Sequence, residues 1–144
     1  MPPNVLVSKD FFQVKACDFG LSRIKESATV TQINVVPGTF LYMAPESLLG
    51  GVRSNFSTDV WSLGATLVEL FVGEDIWKIE KKKNVHDEIS QHMENQELPT
   101  AALALRQNNE QLFAVVEGCF SYSSESRDTV WQLQRKLRAY VEKA

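Results

Sequence analysis

The stretch Val60-Trp61-Ser62-Leu63-Gly64-Ala65-Thr66-Leu67-Val68-Glu69-Leu70-Phe71 is apolar almost all the way round a helix. Such a segment has little polar surface to give to water, so it must be packed on nearly every side. Ser57 stands just before it as a fitting N-cap, and Asp59 falls in the first turn, where a carboxylate meets the positive end of the helix dipole. Gly73 follows, and glycine there ends a helix without Cβ strain. A chain built around this segment is expected to be mainly α, with Val60–Phe71 as its buried central helix.

Other helices have to supply the cover. Glu110 to Phe120 carries Leu112, Phe113, Val115, Val116, Cys119 and Phe120 on one broad stripe. A last helix is expected from near Asp128, because Val130, Leu133, Leu137, Tyr140 and Val141 recur at helical spacing with Arg135, Lys136 and Arg138 on the other side. Val85 to Glu94 is a weaker, more polar candidate. The N-terminal end differs: Asn4–Val7 and Gln13–Cys17, separated by Ser8-Lys9-Asp10, read as a β-hairpin. From Leu21 to Met43 the chain is rich in Ser, Thr, Val and Asn without a steady period, which predicts a long loop of the kind that usually carries function.

A chain of 144 residues favours one domain able to bury a real core. Its 44% hydrophobic and 23% charged residues are an ordinary globular balance. The net charge of -3 gives no general attraction to nucleic acid or to an anionic membrane. The longest apolar stretch is broken by Glu69 and is too short for a bilayer. Met1 leads straight into Pro2-Pro3-Asn4 with no signal-peptide pattern, so a cytoplasmic, intracellular setting is expected. Cys17 and Cys119 fit buried free thiols in a reducing compartment. His86 and His92, six residues apart, share no helix face and read as surface histidines. Lys81-Lys82-Lys83 reads as a solvated loop.

The chemistry-bearing motifs come in a fixed order. Asn4 lies one hairpin before Asp18-Phe19-Gly20. Gly38-Thr39-Phe40-Leu41-Tyr42-Met43-Ala44-Pro45-Glu46 follows the long loop, Asp59-Val60-Trp61-Ser62-Leu63-Gly64 opens the apolar helix, and Arg127 precedes the last one. Any one of these is weak alone. Together, over nearly the whole chain, they closely resemble the C-terminal lobe of a eukaryotic protein kinase domain. Pro2 before Asn4, and Thr39 after Gly38, look more like the serine/threonine side of that family than the tyrosine side.

The resemblance implies a helical, C-lobe-like domain with a short N-terminal hairpin, as a partial kinase domain over 1–144. A metal-binding hairpin would occupy 1–20, an activation segment 21–46 and a helical subdomain 57–144. It implies that Asp18 and Asn4 would hold magnesium, hard and oxygen-seeking, with Asp18 also on the ATP side and Leu6 beneath the adenine. Phe19 would set the direction of Asp18, and Gly20 would allow the sharp turn after it. Ser27, Thr29 and Thr31 are candidate phosphosites of the activation segment. Thr39 would begin the floor for the residue next to the acceptor. Glu46 and Arg127 would form a largely buried ion pair, and Asp59 would accept backbone hydrogen bonds from the catalytic loop. Asp128 departs from the family, where proline commonly follows the arginine.

These residues contain no glycine-rich phosphate loop, no strand lysine for the α- and β-phosphates with its helix glutamate, and no His-Arg-Asp. In the family's pattern the His-Arg-Asp falls just before Met1, so the chain is expected to be truncated within the catalytic loop. Loss of the aspartate base alone removes roughly 10²–10⁴ in rate. The resemblance therefore implies ATP- and Mg²⁺-dependent transfer to protein Ser/Thr in an intact parent, with weak or no cofactor binding and no transfer by this chain alone. A phosphate on Thr29 or Thr31 would also lack the arginine of that motif as its docking charge. The competing expectation is a non-catalytic, kinase-like module that binds a protein partner. Under either, the partners are proteins, with no nucleic acid and no membrane.

Overall fold

The computed structural model describes residues 5–10, 13–17, 39–50, 55–80 and 84–143. The chain divides into two compact units, Met1–Asn34 and Val35–Ala144. In the first, β1 (Val5–Val7) pairs antiparallel with β2 (Val14–Ala16), with Leu6 opposite Lys15. The turn between them is closed by the Ser8 N–H donating to the Gln13 carbonyl at 2.9 Å, and by the Gln13 N–H donating to Ser8 Oγ at 3.0 Å. Ser8 Oγ also donates to Asp10. The paired runs are shorter than the sequence suggests, because Cys17 falls outside the ladder.

The second unit is helical. A 3-10 turn at Thr39–Tyr42 leads into a single-turn α1 (Pro45–Leu48), then α2 (Phe56–Val72), α3 (Val85–Glu94), α4 (Thr100–Asn108) and α5 (Glu110–Val116). A second 3-10 turn, Glu117–Phe120, and α6 (Val130–Val141) complete it. Among the described residues no helix is long and apolar enough to cross a membrane.

α2 starts earlier than expected, and Asn55, not Ser57, caps it. Asn55 Oδ1 accepts from the Ser57 and Thr58 N–H groups, and the Thr58 hydroxyl oxygen accepts from the Asn55 N–H at 3.1 Å. That reciprocal box satisfies donors which Ser57, already inside the first turn, is too late to reach. Gly73 ends the helix at φ 77, in the left-handed region. Trp61, Ala65 and Val68 are fully buried, yet Leu63, Leu70 and Phe71 are 38%, 47% and 37% exposed. The expectation of burial on every side therefore holds for part of the helix only: α4, α5 and both 3-10 turns pack on α2, and Leu63, Leu70 and Phe71 stay open to solvent.

That packing is close. A Cβ added at Gly64 would stand 2.4 Å from Cys119 Cβ, so glycine is what lets α2 meet the 3-10 turn. Cys119 and Phe120 are buried in that turn, together with Val115 and Val116 of α5 and Leu133 of α6. α6 begins at Val130 with Thr129 and Gln132 as its capping box. Asp128 does not open it, because its N–H bonds the Gly118 carbonyl at 2.9 Å and its carboxylate takes Lys136 Nζ at 2.5 Å. Val130 and Val141, expected on the apolar stripe, are 48% and 70% exposed at the two helix ends. α4 is a helix the periodicity does not announce. Pro99 precedes it, and Ala101, Ala102 and Leu105 face the core.

Candidate functional site: a buried arginine anchor

Pro45 starts α1 with a fixed φ suited to a first helical position, which sets Glu46 in the first turn. Arg127 comes to it from the loop before α6, 81 residues away in sequence. The contact is a two-pronged fork: Nη1 to Oε1 at 2.7 Å and Nη2 to Oε2 at 2.9 Å. Two further guanidinium donors reach backbone, Nη1 to the Ser57 carbonyl at 2.8 Å and Nε to the Ser121 carbonyl at 3.0 Å. The Arg127 side chain is fully out of solvent, and its guanidinium lies 5.2 Å from the centre of the Trp61 ring. Phe120 and Tyr122 meet that indole edge-on at 5.3 and 5.4 Å.

One side chain thus ties α1, the start of α2, the loop after the second 3-10 turn and the central tryptophan together. Burying a guanidinium is tolerable only when its donors are taken and its charge is matched, and both conditions are met here. Burial pushes the Glu46 carboxyl up, but the hydrogen bonds from Arg127 and from its own backbone, with the Arg127 charge, hold it below the usual carboxylate range.

A second tie fixes the segment after Thr39. The Tyr42 hydroxyl donates to Glu69 Oε2 at 2.5 Å, and Ser62 Oγ donates to the Tyr42 carbonyl at 2.7 Å. Burial, and then the Glu69 carboxylate, push the Tyr42 phenol well above its ordinary value. Neither Tyr42 nor Glu69 is singled out by the sequence reading. The signal available was a tyrosine in the motif before Pro45 and a lone carboxylate on an otherwise apolar helix.

Asp59 sits on the exposed side of the first turn of α2, and partial burial raises its carboxyl above the usual range, with no compensating partner among the described residues. It lines a groove of about 620 Å³ with Val60, Leu63, Arg127, Val130 and Trp131. Leu6 is on β1 and 56% exposed. Thr39 opens the first 3-10 turn. Asn4, Asp18, Phe19, Gly20, Ser27, Thr29 and Thr31 lie outside the described residues. Among the described residues no group of three or more His, Cys, Asp or Glu side chains could hold a metal ion.

Of the two thiols, Cys119 is buried and Cys17 only half-buried, and both are free. Burial first, and then the Asp128 charge, push the Cys119 thiol up to about 12. The histidines are not plain surface residues. His86 meets Phe40 edge-on at 5.0 Å, and His92 stacks on buried Trp77 at 5.4 Å.

The described geometry, then, is an anchor around Arg127 and a pinned segment before Pro45. The family model for the protein kinase domain matches residues 2–137. The serine/threonine-protein kinase CTR1 of Arabidopsis thaliana is 33% identical over 142 residues, which is 99% of this chain and 16% of that protein. Cyclin-dependent kinase-like 2 of Pongo abelii is 40% identical over 76 residues, 53% of this chain and 15% of that protein. Mitogen-activated protein kinase kinase kinase ANP1 of Arabidopsis thaliana is 39% identical over 71 residues, 49% of this chain and 10% of that protein. The chain spans about a sixth or less of the length of these relatives. With a match that runs from the first hairpin through Arg127 to the last helix, this chain belongs to the protein kinase domain family.

Proposed function

We propose that residues 1–144 act as the C-terminal lobe of a protein serine/threonine kinase, in ATP- and magnesium-dependent phosphoryl transfer to a protein hydroxyl. The observation that carries this reading is the kinase-domain match over residues 2–137, which spans Asp18-Phe19-Gly20 as well as the Arg127 anchor. Asp18 and Asn4 offer a carboxylate and an amide oxygen, the hard donors that magnesium takes, so the donor set fits the ion. Bound there, Mg²⁺ with ATP supplies charge neutralisation at the phosphates and the phosphoryl group itself.

The chain's own residues do the holding. Leu6 lies beneath the nucleotide base. Thr39 and the segment pinned through Tyr42 receive the substrate next to its acceptor. Glu46 and Arg127 keep that segment fixed against α2, and Asp59 anchors the catalytic loop. Ser27, Thr29 and Thr31 are the positions at which the activation segment is modified. These 144 residues contain no His-Arg-Asp, no counterpart of the family's lysine for the α- and β-phosphates and no glycine-rich loop, so on their own they transfer no phosphate and hold nucleotide weakly or not at all. The working location is cytoplasmic, with protein substrates as partners.

A second reading, a non-catalytic module that binds a protein partner, draws on the exposed apolar side chains Leu63, Leu70 and Phe71 of α2. Reading the transcript upstream of the Met1 codon separates the two. A frame that continues into a His-Arg-Asp and a glycine-rich loop supports the kinase reading. A transcript that starts at Met1 overturns it in favour of the binding module.

A further inference from the structure

α3 closes with a turn that glycine would suit better than the residue it has. The Gln96 N–H donates to the Met93 carbonyl and the Glu97 N–H to the His92 carbonyl, both at 3.0 Å, which is the paired pattern of a left-handed helix end. Gln96 adopts φ 55 there, a conformation that strains an L residue with a side chain. The groups around it hold the turn. His92 Nδ1 lies 2.6 Å from Glu97 Oε2, and Asn95 Nδ2 donates to Glu97 Oε1 at 3.3 Å. The imidazole stacks on Trp77 with 20° between the planes. The Tyr122 hydroxyl donates to the Glu97 carbonyl at 2.6 Å, so the ring that meets Trp61 also grips this turn.

We propose that His92, Glu97 and Trp77 form a proton-sensitive clamp on the C-terminal end of α3. In the neutral ring Nδ1–H donates to the carboxylate, and the next proton is taken up on Nε2. The His92 side chain is 29% exposed, so that proton comes from solvent. Protonation turns the bond to the Glu97 carboxylate into an ion pair, places a cation at the negative end of the helix dipole and sets it over an indole. All three effects tighten the clamp.

The facing groups come from four places. Glu97 and Asn95 are in the turn, and the Tyr122 phenol is on the loop before α6. Trp77 and the exposed Lys78 are on the segment after α2. On α3 itself Glu94 is exposed, and Glu88, one turn earlier, is buried with its carboxylate accepting from the Glu80 N–H at 3.2 Å. Among the described residues the only carboxylate paired with the His92 ring is that of Glu97. The bond from His92 is also the main reason that the Glu97 carboxyl sits below its usual range, against a weak opposing push from burial. The clamp is therefore loosest with the ring neutral and tightest with the ring protonated and Glu97 still ionised.

The test is the indole N–H resonance of Trp77 in the ¹⁵N-labelled 144-residue chain, followed from pH 8 to 5.5 beside the thermal midpoint. The expected result is one titration of the Trp77 signal, absent in His92→Gln, and a rise in midpoint on acidification that Glu97→Gln reduces or abolishes. Both side chains are partly exposed, at 29% and 47%, so neither change empties the core. A Trp77 signal that stays fixed, or that titrates unchanged in His92→Gln, overturns the proposal. So does a Glu97→Gln chain that keeps the full rise in midpoint.

Discussion

Arg127 with Glu46 and His92 with Glu97 both set a basic side chain against a carboxylate, the first pair 81 residues apart and the second within one helix end, yet they differ in what water can do for them. The Arg127 side chain has no exposure and Glu46 has 16%, while His92 and Glu97 keep 29% and 47%. A lost partner in the first pair strands a charge that water reaches poorly or not at all. A lost partner in the second leaves a group that water solvates at once. The same chemistry is therefore structural in one place and adjustable in the other, and burial decides which.

The largest way to break this contrast is Arg127→Ala. It strands Glu46 and frees the Ser57 and Ser121 carbonyls, with an expected loss of about 3–5 kcal/mol in urea unfolding. An equal loss from Glu97→Gln would erase the difference between the two sites. Gly64→Ala comes next, because the new methyl meets Cys119 Cβ at 2.4 Å across a close-packed interface. A cost of about 1–3 kcal/mol is expected.

Acid separates the pairs further. The folded Glu46 carboxyl sits below its usual range, so its contribution is fully present above the unfolded carboxylate value, roughly 4.3, and is lost as pH falls through the folded value. Stability measured between pH 6 and 3 should fall less steeply in Glu46→Gln, from a lower starting level. The smallest expected effect is a gain. Gln96→Gly removes left-handed strain and should stabilise the fold by up to about 1 kcal/mol, seen as a higher thermal midpoint.

The two ends of the anchor were legible in the sequence, since Glu46 closes a motif and Arg127 precedes an amphipathic helix. The rest of the anchor was not. Its other acceptors are the backbone carbonyls of Ser57 and Ser121, and a carbonyl is the same in every residue. The mainly α class follows from helical period, and the hairpin from two short β-type runs on either side of Ser8-Lys9-Asp10. The partial burial of α2 does not follow from the sequence, because an all-round apolar segment looks the same whether or not every face is covered. α4 escaped notice because Ala101, Ala102 and Leu105 make too short and small-sided a stripe to register as a period. Asn55 was missed as the cap because Ser57, two residues on, is an equally good capping type.

The most direct single measurement is phosphate transfer from magnesium-ATP to a general protein substrate. It compares the 144-residue chain with the same residues joined to a catalytic loop, strand lysine and glycine-rich loop, each with and without Asp18→Ala. Transfer by the joined protein alone, abolished by Asp18→Ala, is the expected result. Transfer by the 144 residues on their own, or a joined protein indifferent to Asp18→Ala, would contradict the role given to this chain.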